Sequence, residues 1–416
     1  MSRRGISILR KITLVIAIVM LVTVLAACGG TTATTTAATT KATSAGATTG
    51  TTAAGSTTAT TKTAETGDIL VGFSASITGS TPVEGQYSRA GAELAVEEIN
   101  AKGGVLGRKI KLLVEDDQND ATASVNAVNK LVSQPICALI GPHKSFAAKA
   151  VMQIITDKKI PYMTGATSVT LLDAKSPYFF RLRASDGLVA KIAAKYCVDD
   201  LKAKKVGIFF NNDEYGTGAK KVIEEYLTSV KIPFVSEGHN TNDKDMTGQI
   251  TKLKNAGIDS LIIWSHANEN AVAVRQFKEL GLKANVVSGP GFTVSNFLDL
   301  VDGAMLDGKY TVTDYSPKGT LQINQNFVKN LQDKKKITPD FYAATYYDSV
   351  YILADAIKRA GSTDREAIRT ALTKTKDLQG AMAKYYANDK GELCHESIIL
   401  KIDAQKAFSL VKNVTE

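Results

Sequence analysis

His143, Lys144 and Ser145 stand side by side in "IGPHKSF", between an apolar strand pattern and a helical one. A base, a cation and a hydroxyl together raise the question of nucleophilic catalysis. Adjacent letters do not make a triad, which is defined by geometry and role. The sequence holds no GxSxG elbow, no zinc spacing and no dinucleotide fingerprint. The chain is therefore expected not to be an enzyme, to bind no metal and to need no cofactor. What remains is capture of an anion. A helix start offers free backbone N–H groups, and Ser145 adds a hydroxyl. The alternative is that Ser145 caps its own helix. A second candidate loop, "GGVLGRK" (103–109), is neither GxGxxG nor GxxxxGK[ST]. It lies between a helix and a strand, so it reads as a helix stop and turn, not a phosphate loop.

The elements that must position such a loop alternate along the chain. "ILVGFS" (69–74), "RKIKLLVEDD" (108–117), "CALIGP" (137–142) and "IPYMTG" (160–165) read as strands. Between them, "SRAGAELAVEEINAKGG" (88–104), 121–133 and "AAKAVMQIITDKK" (147–159) read as helices, the first stopped by Gly103-Gly104. After "YFFRLRASD" the rhythm restarts. Strands are expected at 205–212, 232–238, 259–265 and 285–290, and helices at 218–230, 247–256 and 271–280. "FYAATYYDSVYILADAIKRAG" (341–361) reads as one long amphipathic helix. The fold class is α/β: two series of βαβ units, hence two lobes, each a largely parallel sheet with helices on both faces.

The first residues are of another kind. Arg3, Arg4, Arg10 and Lys11 precede an apolar run from Ile12 to Ala27 that is short for a membrane span. Residues 1–27 are expected to be a secretory signal. "LAACGG" (25–30) resembles the lipobox of bacterial lipoproteins. That implies cleavage before Cys28 and attachment of lipid to its thiol, an anchor whose strength grows with each buried CH₂. Residues 28–67 are rich in Thr and Ala and lack the apolar side chains a core needs, so a disordered linker is expected. The net charge is +9, with four of the cations in the signal and no basic stripe beyond "DKKKI" (333–337). Nucleic acid is not an expected partner. With Cys28 set aside, Cys137, Cys197 and Cys394 remain, and their pairing is open.

The stretch "GFSASITGSTPVEGQYSRAGAELAVEEINAKGGVLGRKIKLLVEDDQND" (72–120) resembles the start of the type I periplasmic-binding-protein family. The nearest branch is the branched-chain amino-acid binding proteins of ABC transporters. The resemblance runs on through "LIGPHKS", "IPYMTGATS", "VGIFFNNDEYGTG", "VRQFKELGL" and "YYDSVYILADAI", covering essentially all of 68–416. It implies a two-lobe clamp whose chain crosses three times, near Asp186, Asp314 and Lys384. Lobe 1 would be 68–187 with 315–383, and lobe 2 would be 188–314 with 384–416. The implied function is that of an extracytoplasmic, lipid-anchored solute receptor, a monomer that delivers an amino acid or small carboxylate to an ABC permease. A ligand-sensing receptor on the same fold is the alternative.

The resemblance also implies site residues. Ser145 matches the loop that holds a ligand carboxylate. Gly165, Ala166 and Thr167 match the loop that holds both ends of an amino acid. Tyr215 matches a second-lobe tyrosine that covers the ligand, and His266 stands where the branch often has an aromatic residue. Ser76 and Thr78 line the exit of the first strand. Two features depart from the pattern. Gly291, in "SGPGF", stands where an acid commonly holds the ligand ammonium, and Lys144 adds a cation beside the carboxylate loop. A buried ammonium without a countercharge is costly. These departures leave room for an acid without an amine, a diacid, or another ammonium partner such as Asp186 or Glu269.

Overall fold

The computed structural model describes residues 66–415. The expected signal, Cys28 and nearly all of the Thr/Ala-rich stretch lie outside them. In chain order, the first series is β1 (Ile69–Ala75), α1 (Pro82–Ala101), β2 (Ile110–Asp116), α2 (Ala121–Val132), β3 (Ala138–Ile140), α3 (Ser145–Asp157), β4 (Tyr162–Thr164) and β5 (Phe179–Arg181). Its strands form a five-stranded sheet, all parallel, in the order β2-β1-β3-β4-β5. The second series is α4 (Asp186–Asp199), β6 (Val206–Asn211), α5 (Glu214–Ser229), β7 (Phe234–His239), α6 (Thr247–Asn255), β8 (Ser260–Trp264), α7 (Ala267–Glu279), β9 (Asn285–Ser288), α8 (Ser295–Leu300) and β10 (Tyr310–Thr313). Its parallel part runs β7-β6-β8-β9-β10. Every residue of β6 and β8 is buried, as helices on both faces require.

The two parallel orders are the same winding. In each, the second strand lies outside the first and the third lies on the other side. The direction of winding reverses between β1 and β3, and again between β6 and β8. Loops at the carboxyl ends of strands beside such a reversal form a crevice in open α/β sheets. The loops after β3 and β4 in one lobe therefore have counterparts after β8 and β9 in the other.

The chain then adds α9 (Gln322–Lys335), α10 (Phe341–Ala360) and α11 (Arg365–Leu372), the pair β11 (Leu378–Gln379) and β12 (Lys384–Tyr385), and the hairpin β13 (Glu396–Ile402) with β14 (Phe408–Thr415). Strand β13 runs antiparallel to β10, which completes a seven-stranded second sheet. Residues 384–393 were expected beyond the third crossing. They stay with the first lobe instead: Tyr385 Oη donates to Asp348 on α10 at 2.8 Å, and Arg181 bonds to both Gly391 and Leu393 through its backbone. The second sheet is rejoined at Glu396.

The first two crossings are clamped together. Arg183 follows β5 and Asp314 follows β10. Their side chains are buried and form a two-toothed pair, Nη2 to Oδ1 at 2.6 Å and Nε to Oδ2 at 3.0 Å. Asp314 Oδ2 also accepts the backbone N–H of Ala184 at 3.1 Å.

Helix α1 lies against α10 at very short range. Tyr347 and Tyr351, one turn apart on α10, both donate to Glu98 of α1 at 2.7 Å. At the crossing is Gly91, where a Cβ would lie 2.0 Å from the carbonyl oxygen of Ala343. Alanine in place of a helical glycine ordinarily adds about 1 kcal/mol of stability. Here the sign reverses, because a backbone carbonyl cannot step aside. Gly91→Ala is expected to cost about 1–3 kcal/mol through overpacking, measured as a lower urea midpoint. A raised midpoint would show that the helices can separate freely.

Candidate functional site

Equivalent loops of the two lobes face each other and enclose one cavity. His143, Lys144 and Ser145 after β3 meet Ser265, His266 and Ala267 after β8. Gly165, Ala166 and Thr167 after β4 meet Pro290 and Gly291 after β9. Arg183, Tyr215, Phe341 and Tyr342 complete most of the wall. The space left is about 30 Å³. That is room for a water or two, so a solute the size of an amino acid requires the lobes to part. Bonds at the rim span them. The Thr170 hydroxyl donates to Glu214, which also takes Lys149 at 2.8 Å, and Asn268 donates to the Ser80 carbonyl at 3.2 Å.

The symmetry reaches single residues. Lys144 is the N-cap of α3 and His266 the N-cap of α7. They touch across the cleft, Nζ to Nδ1 at 3.5 Å. Neither caps its helix with a side chain, whereas Asp120, Asp213, Asp340 and Asp364 each cap theirs. No N-cap side chain covers the first amides of α3 and α7, and both helix starts line the cavity, a setting that favours negative charge.

Each basic group of the wall carries its own acid behind it. Lys144 pairs with Glu84 of α1 at 2.6 Å, with side chains 6% and 3% exposed, and donates to Tyr342 Oη at 3.0 Å. Arg183 pairs with Asp314 and lies over the Phe341 ring at 3.8 Å. His266 Nε2 lies 2.6 Å from Asp213 Oδ2 and stacks on Tyr215. Burial works to raise the Asp213 pKa, but His266 and the Gly216 N–H outweigh it and hold the carboxyl at about 2. His143 packs on Tyr342 with ring centroids 4.3 Å apart. Burial, then the charges of Arg183 and Lys144 and the nearby His266, hold its imidazole well below the usual pKa. Among the described residues, no carboxylate lines the cavity.

A sequence profile described as "Periplasmic binding protein" matches residues 68–407. The chain belongs to the periplasmic binding protein family. A Leu/Ile/Val-binding protein of Rhizobium johnstonii, BraC3, is 29% identical over 336 residues, 80% of this chain and 91% of that one. The branched-chain amino-acid transporter substrate-binding protein LivJ of Streptococcus pneumoniae, solved with isoleucine, superimposes with a TM-score of 0.76 at 26% identity and covers 83% of this chain and 99% of its own. An ABC-transporter solute-binding protein of Rhodopseudomonas palustris, solved with 3,4-dihydroxybenzoic acid, shares the fold with a TM-score of 0.75 at 19% identity, over 84% and 97%. This periplasmic binding protein is of type I, in the branched-chain amino-acid branch, and is a solute-binding protein of the ABC-transporter kind.

Most residues expected at its cleft are there: Lys144, Ser145, Gly165, Ala166, Thr167, Tyr215, His266 and Gly291 all line the cavity. Lys144 points inward. Ser145 does not cap α3; its hydroxyl accepts the Ser168 N–H at 3.2 Å and ties the two first-lobe loops together. At Gly165, a Cβ would lie 2.3 Å from the His143 ring, so only glycine lets that imidazole cover the loop. At Gly291, a Cβ would meet Asn270 Nδ2 at 2.4 Å, so an amide fills the space that an acid's stem would need.

Four expected residues lie elsewhere. Ser76 donates to Asp117 at 2.6 Å and Thr78 to Asp116 at 2.5 Å. They knot the ends of β1 and β2 and do not reach the cavity. Glu269 is buried and accepts the Asn242 N–H at 2.7 Å. Asp186 sits behind Thr167 and accepts its hydroxyl at 3.0 Å. Neither acid is placed to receive an ammonium in the cavity. The residues missed include His143, Arg183, Phe341 and Tyr342. The signal for Arg183 was the alternation in "FFRLRAS", which turns its two arginines into the protein between apolar neighbours. Arg181 is fully buried and donates to the carbonyls of Thr167 at 2.6 Å and Ser168 at 2.9 Å, fixing the second loop from behind.

Burial pushes Asp186 up to about 7, against the pull of Arg181 and the Thr167 hydroxyl. The folded chain thus holds a proton that the unfolded chain releases near 3.8. Stability from this group is full at low pH and is lost as pH rises from about 4 to 7. The melting temperature of the natural protein relative to Asp186→Asn is expected to fall across that window. Parallel profiles would contradict a protonated Asp186.

Proposed function

We propose that the protein captures a small carboxylate, an amino acid or a related acid, between its two lobes and hands it to an ABC permease. The observation that carries this reading is the pair of uncapped helix starts, α3 and α7, facing one cavity from opposite lobes. Their amides, with the hydroxyl of Ser145, form a receptor for a carboxylate. Tyr215 and Tyr342 offer cover for the rest of the molecule. Lobe closure would surround the solute with donors already in place, which limits the ordering cost of binding. No step of this function needs a catalytic group, metal or cofactor.

The described helices include none long and apolar enough to cross a membrane. The family implies a place outside the cytoplasm. Lipid on Cys28, with the Thr/Ala-rich segment as tether, is the attachment we propose, leaving a monomeric clamp free to open and close.

Two experiments test this. The purified full-length chain is screened by thermal shift against leucine, isoleucine, valine, their 2-oxo acids, succinate and 3,4-dihydroxybenzoate. A binder at a hundredfold excess over Kd stabilises the folded state by about 2.7 kcal/mol, which is read as a raised Tm. A panel without any shift would contradict solute capture. Separately, Cys28→Ala is expected to move the protein from the membrane fraction to the medium or soluble fraction with ligand affinity unchanged. A variant still in the membrane fraction would remove the lipid anchor from the reading.

A further inference from the structure

The cavity wall carries cations and no free acid, and this has consequences for its ligand. The ammonium of Lys144 has three N–H groups, and three acceptors meet it: Glu84 at 2.6 Å, Tyr342 Oη at 3.0 Å and His266 Nδ1 at 3.5 Å. With a proton on Nε2 for Asp213, His266 has Nδ1 left to accept from Lys144. The chain's own ammonium thus occupies the acceptors that a ligand ammonium would seek. The other nearby acids are bonded within the protein, and none lines the cavity. Asp314 is taken by Arg183, Asp213 by His266, Glu269 by the Asn242 backbone, and Asp186 stands behind Thr167. At Gly291 there is no space for a side chain, because Asn270 and the Ser265 carbonyl fill it.

We infer that the cleft selects small organic acids without an ammonium group over amino acids of the same carbon skeleton, and that Lys144, fixed by Glu84, is the residue that sets this preference. The inference rests on the proposed function and narrows its ligand class. A carboxylate entering the cavity meets Lys144, Arg183 and two open helix starts, all of favourable sign. An α-ammonium meets the same groups as a like charge. It is desolvated without a partner, the arrangement that costs most in a closed site. A carbonyl or hydroxyl at that carbon has no such penalty, and a hydroxyl can donate to the His143 Nδ1 atom, which has no partner of its own.

The test is a matched comparison by titration calorimetry on the purified full-length chain: leucine against 4-methyl-2-oxopentanoate, and valine against 3-methyl-2-oxobutanoate. Each pair differs only at the α-carbon. The expected result is at least tenfold tighter binding of the oxo acid. Lys144→Met, checked for folding by its melting transition, is expected to weaken the oxo acid at least tenfold and to shrink the gap within each pair. Amino acids that bind as tightly as their oxo acids, or more tightly, would overturn the inference while leaving solute capture intact. An unchanged gap in folded Lys144→Met would overturn the role of Lys144. If no amino acid or amine-free acid binds at all, the solute-binding reading fails and this inference falls with it. The natural protein alone decides the ligand class, so a variant that does not fold leaves the main comparison standing.

Discussion

The buried pair Arg183–Asp314 is the constraint around which the molecule is arranged. It sits where two of the three crossings run side by side, so it fixes the hinge and the back of the cleft with one contact. Breaking such a pair by removing one partner typically costs about 3–5 kcal/mol, because the remaining charge stays buried. The guanidinium is held on a third side by the ring of Phe341, the first residue of α10. Helix α10 is itself fixed against α1 at Gly91, and α1 carries Glu84, the partner of Lys144. Hinge, helix packing and cavity charge are therefore links of one chain.

Much of this was legible in the sequence. The alternation of apolar runs gave both sheets, since parallel strands covered on both faces need near-continuous apolar residues. The helices were placed correctly in order but began too late. The apolar period suggested starts near 147, 218 and 271, whereas the helices open at Ser145, Glu214 and Ala267. The reason is common to all three. Their first turns lie at a cleft instead of a core, so polar residues such as Ser145, Glu214, Asn268 and Glu269 interrupt the apolar pattern. The turns that periodicity could not see are the ones that make the site.

Other misses have separate causes. Strand β10, helix α9 and the β13–β14 hairpin were not foreseen. Helix α9 buries only a narrow stripe, with Asn324, Phe327 and Leu331 inward, and β14 is an exposed edge. His143 and Tyr342 owe their place in the cavity to tertiary contact between distant segments, which spacing along the chain does not encode. Ser76 and Thr78 were well placed at a strand exit but were taken by Asp117 and Asp116, acids that stood in the sequence without an evident partner. The inward direction of Lys144 depended on Glu84, sixty residues earlier, and no local rule joins the two.

The charged networks divide cleanly between the jaws. Glu84, Lys144 and Tyr342 travel together with one lobe, and Asp213, His266 and Tyr215 with the other; only the 3.5 Å contact between Lys144 and His266 joins them. An empty, gaping clamp would keep the ion pairs of its cavity wall and give up the Lys149–Glu214 pair at the rim. Its electrostatic character is thus built into each half before they meet, as matching dies are cut before they are pressed. Motion only brings the faces together and expels the water between them.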